Sequence, residues 1–214
     1  MKSLSASNIH LFLRCPRQWY LTYKWGWKGG DSPASALGTA IHAEQERFYL
    51  TGEMPSRPNA VLALNYAPPR SPDVAIETKV ENVTISGIPV RGRIDLTQPG
   101  LVIDWKTTKS KRWAKTEEDL KKDAQSILYA QDHRLKYGVA PLVRLVYINT
   151  GDWGAPTWKV EHQWTDASLD AALVYIEKLV ALMRGAYQVE NITDLPCLCK
   201  GNHKICAWDW ACDL

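Results

Sequence analysis

Two carboxylates and one ammonium lie close together in mid-chain. Asp95 ends the segment Gly92-Arg93-Ile94-Asp95. Asp104 and Lys106 lie in Val102-Ile103-Asp104-Trp105-Lys106, beyond the turn signal Gln98-Pro99-Gly100. If these segments pair as a hairpin, Asp95 and Asp104 approach each other. Asp104 and Lys106, two apart on a strand, project to the same side. Hard oxygen ligands of this kind suit Mg²⁺ or Mn²⁺, which retain waters and accept phosphate oxygens. Such an ion polarises a phosphodiester and supplies hydroxide near neutral pH. A neighbouring lysine can position the water or offset charge developing on phosphorus. Taken alone, Asp-x-Lys is equally the polar face of an exposed hairpin. The flanking Ile94, Leu96, Val102 and Ile103 are apolar, however, and a carboxylate buried among them must be paired or bind a metal.

The elements that position these residues follow from pattern and punctuation. Ser5 and Ser7 are N-cap candidates for a first helix running to Tyr23, which Pro16 kinks or divides. A second helix is expected over residues 36–50, carrying His42, Glu44 and Glu46. Residues 51–72 hold five prolines and read as an irregular connection. Three β-rich stretches follow, at 74–85, 88–97 and 100–108, and they read as a meander of paired strands. A long amphipathic helix is expected over 116–137, ending before Gly138. Two further strands are expected at 142–150 and 157–164. Asp166 is read as the cap of a last helix reaching Tyr187, and cysteine-bearing loop begins at Pro196. This order predicts an α/β (α+β) fold: a central mixed β-sheet flanked by helices.

The chain has 214 residues, of which 23% are charged and 45% apolar, with a net charge of +3. That is an ordinary globular balance and predicts one domain over residues 1–214. No run reaches the length of a membrane span, and the first twenty residues do not read as a signal peptide. A cytoplasmic setting is expected, and the compact length suits a stand-alone enzyme of a bacterial or phage-infected cell. No GxxxxGK[ST] motif is present, so no motor accompanies the site.

The motifs, taken in order, resemble the PD-(D/E)XK nuclease superfamily, in particular its RecB-like branch, which includes the CRISPR-associated adaptation exonucleases and many phage exonucleases. The opening Ser5-Ala6-Ser7-Asn8 through Cys15-Pro16 resembles that branch's first helix. Gly38-Thr39-Ala40-Ile41-His42 resembles its histidine motif. Gly92-Arg93-Ile94-Asp95, Asp104-Trp105-Lys106-Thr107 and Gln125-Ser126-Ile127-Leu128-Tyr129 resemble its two strands and its Gln-x-x-x-Tyr helix. The resemblance implies a restriction-endonuclease-like core. It implies that His42, Asp95, Asp104 and the backbone carbonyl of Trp105 ligate the Mg²⁺ or Mn²⁺. It further implies that Lys106 acts on the attacking water, and that Gln125 and Tyr129 hold the lysine or the DNA backbone. Glu77 stands where a supporting carboxylate would lie.

Five cysteines, Cys15, Cys197, Cys199, Cys206 and Cys212, argue in a reducing setting for a metal and not a disulfide framework. The resemblance implies a [4Fe–4S] cluster held by Cys15, Cys199, Cys206 and Cys212, which joins residues 1–30 to residues 190–214. The branch has a cysteine where this chain has His203, and Cys197 is to spare. A structural Zn²⁺, with His203 among its ligands, is therefore the alternative.

The basic run after Lys106 includes Lys109, Lys111, Arg112 and Lys115 and encloses Trp113. It is expected to hold DNA phosphates and stack a base. Trp25, Trp27 and Lys28 are candidates for the same groove. The function expected is a metal-dependent DNA exonuclease acting on single strands or free ends, with recombination or replication proteins as partners. The alternatives are a DNA-end-processing adaptor working with recombination or integration partners, and a structure-specific endonuclease.

Overall fold

The computed structural model describes residues 1–27, 33–151 and 157–196. Its central sheet has five strands: β1 (Ala75–Lys79), β4 (Arg93–Gln98), β5 (Leu101–Thr108), β6 (Leu142–Asn149) and β7 (Thr157–Gln163), in that spatial order. Only β5 and β6 run parallel; every other neighbouring pair is antiparallel. The sheet is therefore mixed, as the alternation of elements predicts. The parallel pair needs a crossover, and α5 (Glu117–Leu120) and α6 (Ala124–Tyr137) supply it.

Helices cover both faces. Ile94, Val102 and Val143 belong to a core shared with α1 (Ala6–Arg14), α2 (Pro16–Tyr23), α6 and α7 (Asp166–Gln188). Leu96, Ile103, Trp105, Val146 and Ile148 pack instead with Ile41 of α3 (Pro33–Thr51) and with Ala60 and Ala63 of α4 (Pro58–Ala63). Trp19 and Trp105 are fully buried, one in each core. Each such side chain contributes about 1.5–3 kcal/mol or more through burial. Among the described residues no helix is long and apolar enough to cross a membrane.

Several boundaries depart from the sequence reading. The first helix is divided at Cys15, the C-cap of α1 and the N-cap of α2, with Pro16 in the first turn of the second. The proline-rich connection contains α4, which Pro58 opens at a position where a missing N–H costs nothing. The helix expected over 116–137 is two helices. Thr116 and Asp119 form a capping box for α5, and Asp123 caps α6 through Ser126. Thr165, one residue before the expected Asp166, caps α7. The stretches 74–85 and 88–97 each divide. Their inner ends, β2 (Thr84–Ile85) and β3 (Ile88–Pro89), form a separate hairpin. Its turn, Ser86-Gly87, has φ of 49° and 78°, the type I′ signature.

Candidate active site

The site is built at a break in the β4–β5 ladder. Gln98 pairs with Leu101, Thr97 with Val102 and Leu96 with Ile103, around Pro99 and a left-handed Gly100 (φ 81°). The next pair in register would be Asp95 with Asp104, but the backbone pairing stops there. The Trp105 N–H donates instead to Asp95 Oδ2 at 2.7 Å, so a side chain replaces the ladder bond. Regular alternation also fails at this point: Ile94 and Leu96, two apart, belong to opposite cores. Both aspartates are buried.

Helix α6 measures out the rest of the site. Gln125 Nε2 donates to Asp104 Oδ1 at 2.6 Å, and Gln125 Oε1 accepts from Lys106 Nζ at 2.9 Å. One turn on, the Tyr129 hydroxyl donates to the Arg93 carbonyl at 2.8 Å, at the start of β4. A further turn on, His133 Nε2 accepts from the Gly100 N–H at 3.1 Å, at the hairpin turn. One face of α6 therefore holds both ends of β4 and both groups of the Asp-x-Lys pair. Gly92 has its place here: a Cβ would lie 3.0 Å from the Tyr129 ring. On the other side, α3 lies close on β5, since a Cβ at Gly38 would meet Thr107 Oγ1 at 3.1 Å. One turn later His42 Nδ1 stands 3.5 Å from Asp95 Oδ2.

The electrostatics are those of crowded, half-neutralised charge. Lys106 Nζ is 2.5 Å from Asp104 Oδ2, a close ion pair. Burial pushes the Asp104 carboxyl up to about 6, against the opposing pull of Lys106 and with the added push of Asp95. Burial draws the Lys106 ammonium down, but the charge and contact of Asp104, with Asp95 behind it, outweigh burial and raise it. His42 is likewise raised: Asp95 and Asp104 overcome the effect of burial.

The donor set of two carboxylates and an imidazole, Asp95, Asp104 and His42, fits a hard divalent ion. The carboxylates are turned toward Lys106, Gln125 and the Trp105 N–H. Among the described residues, no three His, Cys, Asp or Glu side chains are gathered as a finished metal site. His42 and Asp95 open into a cavity of about 400 Å³, which Glu46, Glu77 and Arg93 also line. Glu77 pairs with the Arg93 guanidinium at 3.0 Å.

The basic run is placed directly beyond β5, with a 3₁₀ turn over Lys111–Trp113. Trp113 is 71% exposed, and the Arg112 guanidinium lies 4.6 Å from its ring centre. Lys115 turns inward onto Asp123, and its N–H donates to the Tyr147 hydroxyl at 2.8 Å. Trp25 packs against Tyr20 and Trp27, both contacts at the end of α2; Lys28 lies outside the described residues. Cys15 is buried at the α1–α2 junction, and its thiol accepts from the Gln18 N–H. Cys197, Cys199, His203, Cys206 and Cys212 lie outside the described residues. Sequence reasoning did not single out Asp123, where His10 Nε2 (2.8 Å) and Lys115 meet. Its one local signal is the acid three residues before Ser126, an N-cap spacing. Arg93 was also passed over, although it sits within the aspartate motif.

The PD-(D/E)XK nuclease superfamily is matched over residues 3–72 and 66–213, and the chain belongs to it. It matches none of the curated proteins with which it was compared. Among solved structures it is similar to a presumed exonuclease from Eubacterium rectale: 12% identity and a TM-score of 0.52, over 86% of this chain and 82% of that one. It is also similar to the alkaline exonuclease LHK-Exo of Laribacter hongkongensis: 14% identity, TM-score 0.47, 87% and 90% covered. A third is SSO0001, with 17% identity, TM-score 0.49, 85% and 77% covered. Likeness at such identities is likeness of fold.

Proposed function

We propose that the protein is a divalent-metal-dependent DNA exonuclease acting on single strands or free ends. One observation carries the catalytic reading: Asp95 and Asp104 face each other where the β4–β5 ladder opens, and Gln125 holds Lys106 against Asp104. His42, Asp95, Asp104 and the carbonyl of Trp105 would hold Mg²⁺ or Mn²⁺. When bound, the ion polarises the phosphodiester and acidifies the attacking water. Lys106 presents an ammonium to that water and to the charge that develops on phosphorus. Gln125 keeps the lysine and Asp104 in one geometry, and Tyr129 keeps β4 in place from the same helix face. Lys109, Lys111 and Arg112 hold backbone phosphates beside the site, with Trp113 as a stacking surface. Action at ends follows the family branch that the motifs resemble, and it is in keeping with the name of the Eubacterium rectale structure.

Labelled linear single-stranded, linear duplex and closed circular DNA, incubated with Mg²⁺ or Mn²⁺ and with EDTA, test the reading. Linear DNA is degraded, circles survive, and EDTA stops the reaction. Lys106→Met lowers turnover by about 10²–10³-fold, and Asp104→Asn lowers it below detection. Cutting of closed circles would make the enzyme an endonuclease. Binding without cutting would make it an adaptor.

The cysteines belong to the same proposal: Cys15, Cys199, Cys206 and Cys212 hold a [4Fe–4S] cluster, with zinc the alternative. Its support is local. Arg17, two residues from Cys15, donates to the carbonyls of Leu195 (2.7 Å) and Thr193 (3.1 Å), so the cysteine-bearing segment departs from a point tied to α2. Iron and acid-labile sulfide in anaerobically purified protein are expected; stoichiometric zinc in a colourless protein would overturn the iron version.

A further inference from the structure

The sheet places a second set of cations beside the site. Strands β1 and β5 both run antiparallel to β4, so the ends of β1 and β5 and the start of β4 share one edge of the sheet. Lys79 is the Cα partner of Arg93. Lys79 and Arg93 thus stand side by side on neighbouring strands. At about 4.8 Å between neighbouring strands, the two cations lie close enough together to share the phosphates of one DNA strand.

Two like charges directly opposite on an antiparallel pair destabilise it. Here Lys79 and Arg93 are such a pair, and both are exposed. Glu77 relieves Arg93, but among the described residues Lys79 and Arg91 have no carboxylate partner. A second cavity of about 340 Å³ is lined by Lys79, Arg91 and Gly92 with Glu81 on its wall, and the next residue, Arg93, lines the catalytic cavity. A charge arrangement that costs folding energy beside an acidic catalytic cavity calls for an anion to occupy it.

We propose that Lys79, Arg91 and Arg93 bind backbone phosphates of the DNA strand on the β1–β4 side of the cavity, across the site from Lys109, Lys111 and Arg112. This inference rests on the DNA-nuclease reading. The strand then crosses the edge of the sheet, with its scissile phosphate between two cationic banks.

The test is the salt dependence of binding for a labelled single-stranded oligonucleotide, followed by anisotropy with wild-type protein in EDTA and with Asp104→Asn. Each neutralised phosphate contact removes about 0.7 from the slope of log K against log salt. Lys79→Gln/Arg91→Gln/Arg93→Gln is expected to lower affinity at least tenfold at low salt and to reduce the slope by about 2. The double variant Lys79→Gln/Arg91→Gln spares the Glu77–Arg93 pair and should reduce it by about 1.4. Lys109→Gln/Lys111→Gln/Arg112→Gln serves as the measure of the other bank. Unchanged affinity and slope in the first two variants, while the third weakens binding, would overturn this inference alone. So would a lower melting temperature with an unchanged slope. Failure of the unsubstituted protein to bind any DNA would overturn the nuclease reading and this inference together.

Discussion

At Glu77 the backbone takes φ 49° in a residue that is neither Gly nor Asn, directly across the β1–β4 register from Asp95. Non-glycine residues adopt this region at a cost of roughly 1–2 kcal/mol, and such strain collects at functional sites. The strain has a checkable signature. In an ordinary strand, alanine is more stabilising than glycine by roughly 0.5–1 kcal/mol. At position 77 the order should reverse. Glu77→Gly is expected to be more stable than Glu77→Ala by about 1 kcal/mol in urea unfolding, although both lose the pair with Arg93. Equal stability, or the usual order, would mean the conformation costs nothing. The residues on the hairpin itself were legible, because Asp95, Asp104 and Lys106 are brought together by a short turn and the alternation of one strand. Glu77 and Arg93 were not legible as a pair. Their contact depends on β1 joining β4 past the intervening β2–β3 hairpin, a register that no local pattern announces.

Helix α6 is the element on which the site's geometry depends, and its start is its most charged point. Asp123 accepts from the Ser126 N–H as N-cap while meeting His10 and Lys115. Burial would raise its carboxyl, but His10 and Lys115 outweigh burial and hold it down to about 2, against an ordinary 3.8. A depressed carboxyl stabilises the fold above its unfolded value, and that stability is lost as pH falls through the folded value. The contribution is about 2 kcal/mol, present above about pH 4 and gone near pH 2. Asp123→Asn keeps the cap but not the charge. It is expected to be less stable than wild type by about 2 kcal/mol at pH 7. Urea titrations at successively lower pH should then show the gap closing toward pH 2. A gap that persists in acid would assign the loss to packing. The same residue explains the misread boundary. An amphipathic pattern over 116–137 reads as one helix because the periodicity carries through, whereas Asp123 breaks it by capping α6 afresh. The split of the stretch 74–85 has a comparable cause. Asp132, on α6, accepts from the N–H groups of Glu81 and Asn82 and bends the chain there; an anchor so distant in sequence leaves no trace in strand propensity.

Across the whole molecule, the N-terminal helices and the segment that follows α7 bear on the site through a relay of contacts. The segment after α7 lies on α2: the Tyr20 hydroxyl (2.7 Å) and Lys24 Nζ (2.8 Å) donate to the Val189 carbonyl, and Arg17 holds Thr193 and Leu195. Ile192 and Leu195 are buried in the same core as Trp19 and Tyr20. Helix α1, joined to α2 at Cys15, carries His10 to Asp123 at the head of α6, and α6 carries Gln125 to Asp104 and Lys106. Loss of the tail is therefore expected to damage catalysis as well as stability. Two truncations separate this tie from the cysteines. A chain ending at Pro196 keeps every contact just named, while one ending at Gln188 keeps none of the four tail bonds. Burial of Ile192 and Leu195 contributes about 1.5–3 kcal/mol each, and the charged bonds from Arg17 add about 1.5–3 kcal/mol. The shorter chain should thus be less stable by roughly 5–9 kcal/mol, a large part of the 5–15 kcal/mol that holds a typical domain together. Urea unfolding of the two should differ by that amount, and nuclease turnover should fall further in the shorter chain. Equal midpoints would show that the tail leans on α2 without supporting it. Equal turnover despite unequal midpoints would show that α6 holds Gln125 in place without help from that segment.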